Sequence, residues 1–264
     1  MMITLLTSCK KDSANNDVTA VTDHAIAEGE SNRVIQAVNS AAYHYDVRDI
    51  QDDSILPSCA NITIDTISLF KSITIDFDTV PCLCSDWDGK YRQGIISATW
   101  TGLYRDSGTV ITITTMDYYQ GMLPSEMNKF DYNKTVTSMG HNANGNLHYS
   151  INVIEALVTI YSGQTISWTS QRDREWTLGD STLLPFDDVY SITGSASGTD
   201  RNANPFSVII TSPLIAAFTC PWIKEGTLDI THGNLPVAIL DYGGGSCDAS
   251  ATVTINGILI PVIL

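Results

Sequence analysis

The sequence predicts an all-β fold, built from antiparallel strands in a sandwich or in barrel-like sheets, with one short N-terminal amphipathic helix. From Cys59 onward, apolar and polar residues alternate at a period of two, and Thr, Ile, Val, Tyr and Trp dominate these segments. Gly, Asn, Asp and Pro interrupt them at short intervals, which is typical of half-buried antiparallel strands joined by turns. The alternating sets are Ile62/Ile64, Ile73/Ile75/Phe77, Ile96/Ala98/Trp100, Ile111/Ile113, Leu147/Tyr149/Ile151/Val153, Val208/Ile210, Leu228/Ile230 and Val253/Ile255.

The first residues have the pattern of a lipoprotein signal. Leu6-Thr7-Ser8 places an aliphatic residue and two small ones before Cys9, which predicts cleavage after residue 8 and lipidation of Cys9. The apolar stretch is shorter than the roughly 7–15 residues of a signal peptide and no basic residue precedes it, so residues 1–8 read as a signal-peptide remnant whose start codon lies upstream. The alternative is a frayed cytoplasmic N-terminus with a free thiol.

Residues 9–30 are polar, small and poor in aromatic residues, and we expect them to be a lipidated tether. Val34, Ile35, Val38, Ala41, Ala42 and Tyr45 then recur at helical spacing. This predicts an amphipathic helix over about 31–44, with Ser31 as its N-cap, that packs against the β-rich body.

An internal sequence similarity predicts two similar β-rich halves. Cys59, two strands ending in Asp76-Phe77, and Cys82 and Cys84 are matched by Cys220, two strands ending in Asp241-Tyr242, and Cys247. We interpret this as a duplication, with the helix and first half over 31–162 and the second half over 163–264. Chance similarity between β-hairpins is the alternative.

The hairpin positions also predict disulfides. Cys220 faces Cys247 across the open end of one hairpin, and in the other Cys59 faces Cys82 or, as a second choice, Cys84. One thiol of the Cys82/Cys84 pair should remain free. A zinc site at these three cysteines is the alternative, but a structural site needs four ligands.

Composition excludes a nucleic-acid partner. The 14 Lys and Arg residues stand against 29 Asp and Glu, for a formal charge of −15, whereas nucleic-acid binding requires neutralisation of phosphates by basic residues. No later apolar run approaches the roughly 20 residues that a membrane-spanning helix needs. The predicted lipid is therefore the membrane attachment we expect.

No catalytic, metal or cofactor motif stands out. The five histidines show no close metal-binding spacing, and Gly194–Gly198 has Ala196 where a nucleophile elbow has serine. The Asp86–Gly89 stretch carries only part of a calcium loop. We therefore predict no catalytic residue, no metal, no cofactor and no enzymatic activity.

One predicted strand carries aromatic and basic residues on a single face. Trp168, Arg172, Arg174 and Trp176 fall at alternate positions of TISWTSQRDREWT, and Trp100 and Tyr104 in TWTGLYRD echo the pattern. If exposed, these six residues would form a ligand platform for a sugar or a peptide. The alternative, which we favour, places both tryptophans in the core with arginine stems packed over them.

Several long runs resemble those of Bacteroidetes outer-membrane or cell-surface lipoproteins of uncharacterised function. They are the Cys9 motif followed by Lys-Lys-Asp, CANITID, ITIDF, CLC, TWTGLYRDSGTVITI, TISWTSQRDREWT, DDVYSITGSASGTDRN and LDYGGGSCDASATVTING. The resemblance covers nearly the whole chain. It implies an exported, lipid-anchored protein of the outer membrane or cell surface and implies no activity.

Three functions from different classes follow as expectations. The first is a non-catalytic binding or adhesion lipoprotein whose partner is a glycan or a surface protein. The second is a structural envelope or pilus-like subunit, in which the C-terminal strand GILIPVIL pairs with another chain. The third, a surface hydrolase, would need a pocket with convergent carboxylates or a Ser/His pair.

Overall fold

The computed structural model describes residues 17–46, 56–85, 88–182 and 184–264. These contain one long α-helix, α1 (Thr19–Asp46), followed by 14 β-strands. The strands are β1 (Asn61–Asp65), β2 (Lys71–Asp76), β3 (Cys82–Cys84), β4 (Lys90–Trp100), β5 (Val110–Gly121), β6 (Asn128–His141), β7 (Leu147–Thr159), β8 (Thr165–Leu178), β9 (Val189–Thr199), β10 (Pro205–Ala217), β11 (Ile223–His232), β12 (Ala238–Gly244), β13 (Ser250–Ile255) and β14 (Ile258–Ile263). The predicted all-β class with one N-terminal helix is confirmed.

All the strands belong to one antiparallel sheet. Apart from β3, which pairs only with β4, neighbours in the sheet follow chain order from β1 to β14. The predicted division at 162/163 falls in the turn between β7 and β8, and these two strands pair along their length, for example Thr159 with Thr165. The two halves are therefore parts of a single sheet, because hydrogen bonding continues without a break across the predicted boundary.

The helix is longer than predicted. It begins at Thr19, whose backbone N–H donates to the Asp17 carboxylate at 2.9 Å, so the predicted start with Ser31 as N-cap is wrong. Residues 19–30 of the predicted tether are helical. Cys9 and the first part of the tether, 9–16, lie outside the described residues.

The sheet curves around α1. Polar contacts from the helix reach Arg92 on β4, Tyr118 on β5, Lys134 on β6 and Arg172 on β8. The helix and these strands contribute to one continuous core of buried apolar side chains. The helix is thus enclosed on most of its circumference, a more extensive burial than the one-sided packing of the predicted amphipathic helix.

The edges of the sheet and the hydropathy of the helix bear on function. Strands β1 and β14 form the two edges of the sheet, and β14 exposes Ile258, Leu259 and Ile263. Within the described part of the chain, no helix is both long and apolar enough to cross a membrane.

Candidate ligand-binding groove along the helix

A buried ion pair ties the first half of α1 to the middle of the sheet. Arg172 donates from Nη2 to Oε2 of Glu28 at 2.6 Å. Burial alone would raise the pKa of Glu28, but the charge and hydrogen bond of Arg172, together with smaller contributions from His24 and Lys134, outweigh burial, and the pKa lies below its usual value. The neighbouring His24 accepts a hydrogen bond from Trp168 Nε1 at 3.2 Å, and burial lowers its pKa to about 4. His24 is therefore neutral at physiological pH.

A second buried network joins α1 to β4 and β5. Arg92 donates from Nη1 and Nη2 to the two carboxylate oxygens of Asp88, each at 2.7 Å, and from Nε to the Tyr118 hydroxyl at 3.0 Å. The Tyr118 hydroxyl in turn donates to Glu30 at 2.6 Å. Both oxygens of the Asp88 carboxylate, which is part of the incomplete calcium-loop pattern, therefore accept hydrogen bonds from an arginine.

Lys134 makes a third buried polar contact with the helix. Its ammonium donates to the Ser31 carbonyl oxygen at 2.7 Å. Burial lowers the pKa of Lys134 to about 7, against the opposing influence of Glu28 and Glu30. These three sets of contacts join polar and charged groups of α1 to partners on the sheet, so they hold the helix inside it.

One face of α1 remains uncovered. Thr22, Ile26, Gly29, Asn32 and Gln36 recur every three or four residues and therefore share one face of the helix, and all five line a cavity of about 570 Å³. The cavity runs along the helix, and we refer to it as the groove. Its other walls include Met122, Tyr161, Trp222, Ile223, Tyr242 and Leu264. Its volume lies within the range of about 300–1,000 Å³ typical of small-molecule sites.

Gly29 keeps the groove open at its middle. The residue is exposed although the helix around it is buried, and a Cβ atom added there would have no neighbour within 4 Å. A glycine inside a helix costs about 1 kcal/mol relative to alanine. A larger side chain at position 29 would project into the groove without meeting the protein.

Arg174 lies at one end of the groove. Its side chain is buried, and its Nε and Nη1 atoms have no hydrogen-bond partner among the described residues. The guanidinium stacks on the Tyr190 ring at 3.7 Å. Nearby, Asp188 accepts a hydrogen bond from the Tyr190 hydroxyl at 3.0 Å through Oδ2, while its Oδ1 has no partner within the described chain. Burial raises the pKa of Asp188 to about 7.

The six residues predicted as a ligand platform are not on the surface. Trp168, Arg172, Arg174 and Trp176 do share one face of β8, as the alternation predicts, but all four are buried. Trp100 and Tyr104 are also buried and pack edge to face at 5.1 Å between ring centroids. The platform prediction is wrong because this face of the sheet is the concave one that encloses α1. The favoured alternative, with tryptophans in the core, is confirmed.

The cysteines pair partly as predicted. The Cys220–Cys247 disulfide is confirmed, but Cys59 pairs with Cys84 and Cys82 keeps its thiol. The first-choice Cys59–Cys82 pairing is therefore wrong. Cys82 and Cys84 are two residues apart on β3 and point to the same side of the strand, and the three sulfur atoms lie within 4.8 Å of one another. Hairpin register alone could not choose between the two.

Sequence reasoning missed the groove, Gly29 and the isolated position of Arg174. The available signal was the mixture of charged and apolar residues over 19–30, which is unusual for a tether once matching arginines and a lysine appear at inward positions of the strands. Comparisons with models of protein families, with curated proteins and with solved structures gave no match for this chain.

Proposed function

We propose that the protein is a non-catalytic binding lipoprotein of the cell envelope, anchored through Cys9, that holds an apolar small molecule in the groove. The observation that carries the proposal is the cavity of about 570 Å³ along α1, with Gly29 on its floor and aromatic and aliphatic residues on its walls. An apolar ligand in such a site gains about 25 cal/mol for each Å² of apolar surface removed from water.

The buried ion pairs that join α1 to the sheet have a structural role, which supports binding rather than catalysis. Glu28 is paired with Arg172, and Asp88 with Arg92, in contacts that connect the helix to the sheet. These groups are held in their charged states by each other, so they are poor candidates for general acid or base. A glycan platform of exposed tryptophans is withdrawn, because the tryptophans concerned are buried.

Binding in the groove can be tested with the neutral fluorescent probe N-phenyl-1-naphthylamine. The wild-type protein should bind one probe molecule with enhanced emission. Gly29→Trp should abolish binding because the indole obstructs the middle of the groove, whereas the matched control Gly29→Ala should keep it. Equal binding by the tryptophan and alanine variants, with both folded by circular dichroism, would show that the probe binds elsewhere.

The anchor requires a separate test in cells. With a complete lipoprotein signal peptide fused ahead of Cys9, the protein should incorporate a palmitate analogue and fractionate with membranes in a host that processes lipoproteins. Cys9→Ala should leave it unlabelled and released. Recovery of the wild-type chain without acyl mass would disprove the anchor and leave the groove proposal standing.

A structural subunit is the second candidate, and the edge strand β14 favours it. Edge strands present unpaired backbone groups that can pair with another chain, and Leu259 and Ile263 are 69% and 77% exposed on this one. If β14 pairs between copies, light scattering of Cys9→Ala protein should show oligomers that dissociate when Leu259 is replaced by Lys. A monomer at high protein concentration would remove this candidate.

A further inference from the structure

The charged groups around the groove differ in whether they have hydrogen-bond partners within the described chain, and this difference points to the chemistry of the ligand. Arg33 and Glu30 line the groove and belong to a charged network in which Arg33 and Arg92 face the carboxylates of Asp88 and Glu30. Arg174, by contrast, has two nitrogen atoms without a hydrogen-bond partner in the described chain, although its side chain is only 5% exposed. Buried donors of this kind are nearly always paired, so a partner from outside the chain is the expected complement.

Resting on the proposed function, we propose that the natural ligand is an amphipathic carboxylate whose head group binds Arg174 while its apolar chain lies along the Gly29 face of α1. Arginine forms short, charge-assisted and often bidentate hydrogen bonds with carboxylates. Stacking on Tyr190 holds the guanidinium plane in place before the ligand arrives.

The surroundings of Arg174 select a single negative charge. Asp188 lines the same end of the groove, with Oδ1 lacking a hydrogen-bond partner within the described residues. A protonated Asp188 could donate to the second oxygen of a carboxylate. A phosphate dianion would meet the same acidic side chain with a further uncompensated charge, so the site favours a carboxylate over a phosphate.

The dimensions of the groove fit a chain rather than a compact ring. Its helical wall extends from Thr22 to Ser40, which corresponds to about 27 Å at 1.5 Å per residue. Ala25, Ile26 and Gly29 form an uncharged part of that wall, N-terminal to Glu30 and Arg33. The ligand class is therefore a long-chain carboxylic acid.

Competition against bound N-phenyl-1-naphthylamine tests the assignment with dodecanoate, dodecan-1-ol, dodecyl phosphate and dodecyltrimethylammonium. Dodecanoate should displace the probe at a concentration roughly ten- to hundredfold lower than dodecan-1-ol, as expected for hydrogen bonds to a charged group. Arg174→Met should remove this preference and leave the affinity for dodecan-1-ol unchanged. Arg174→Lys, which keeps the charge, should retain part of it.

The matched control is Lys90→Met, which removes a different cation from the lining of the groove. It should leave the preference for dodecanoate intact. Equal displacement by dodecanoate and dodecan-1-ol, stronger displacement by dodecyl phosphate, or loss of the preference in Lys90→Met rather than in Arg174→Met would each overturn the assignment. Probe binding that persists in these cases would leave the proposed function standing, so the two failures are distinguishable.

Discussion

Replacing Lys134 by Met should change how the stability of the protein depends on pH. Lys134 is fully buried on β6, and burial lowers its pKa from 10.5 to about 7. Below pH 7 the lysine is charged in both the folded and the unfolded chain. Between pH 7 and 10.5 the unfolded chain still holds the proton that the folded chain has released, so the free energy of unfolding rises with pH in this window.

The expected size follows from 1.36 kcal/mol for each pKa unit. Between pH 7 and pH 9 this group alone should stabilise the wild-type protein by about 2 kcal/mol, and Lys134→Met should lack that rise. Urea unfolding at half-unit pH intervals measures it. The control is Lys129→Met on the same strand, because a hydrogen bond to Asp117 raises the pKa of Lys129 and keeps its titration above the window. Parallel profiles for wild type and Lys134→Met would refute the reasoning.

Three further substitutions test other parts of the structure. Glu28→Gln should lower the free energy of unfolding by about 3 kcal/mol, measured by urea titration, because it leaves its arginine partner charged and buried. Cys82→Ser should leave the thermal midpoint of unfolding nearly unchanged, because Cys82 is a free thiol. Cys84→Ser should lower the free energy of unfolding by up to about 3 kcal/mol through loss of the native disulfide. A larger loss of stability in Cys82→Ser than in Cys84→Ser would contradict the pairing. Gly94→Ala should destabilise by more than about 2 kcal/mol, since φ is +86° and a Cβ would overlap a backbone carbonyl of β5. Gly102→Ala should cost only about 1–2 kcal/mol, because φ is +79° but the added Cβ would meet only Thr109 Oγ1, at an ordinary contact distance of 3.8 Å.

The strands were predictable because their side chains alternate. Segments such as Ile73/Ile75 and Val253/Ile255 place apolar residues at every second position, and all the alternating sets named above fall within or beside observed strands. Strand β6 gave no such signal, because Lys134 occupies an inward position between Tyr132 and Val136. Its ammonium is satisfied by a helix carbonyl that lies 103 residues away in sequence.

The first part of the helix was not predictable either, because charged residues occupy its buried positions as Lys134 does in β6. Residues 19–30 lack an apolar face, since Asp23, His24, Glu28 and Glu30 are all buried there. Their partners come from distant strands: Asp23 pairs with Arg201, for example. Apolar periodicity alone predicts that such a segment is polar and unstructured, although long-range ion pairs stabilise it in a buried position.

The groove results from the enclosure of α1 by the curved sheet, and it could not be predicted from the sequence. Its floor is the one face of α1 that the curved sheet leaves open, and its position depends on which strands reach the helix. The alternation in β8 correctly placed Arg172 and Arg174 on one face. It could not show that Arg172 meets Glu28 while Arg174 lacks a hydrogen-bond partner among the described residues.

Native mass spectrometry of the protein isolated from its own cells tests most directly whether the groove holds a ligand. The wild-type chain and Gly29→Ala should each carry one non-covalent small-molecule adduct that is released on denaturation. Gly29→Trp, with the middle of the groove obstructed, should carry none. An adduct retained by the folded Gly29→Trp variant, or its absence from wild-type protein, would contradict binding in the groove.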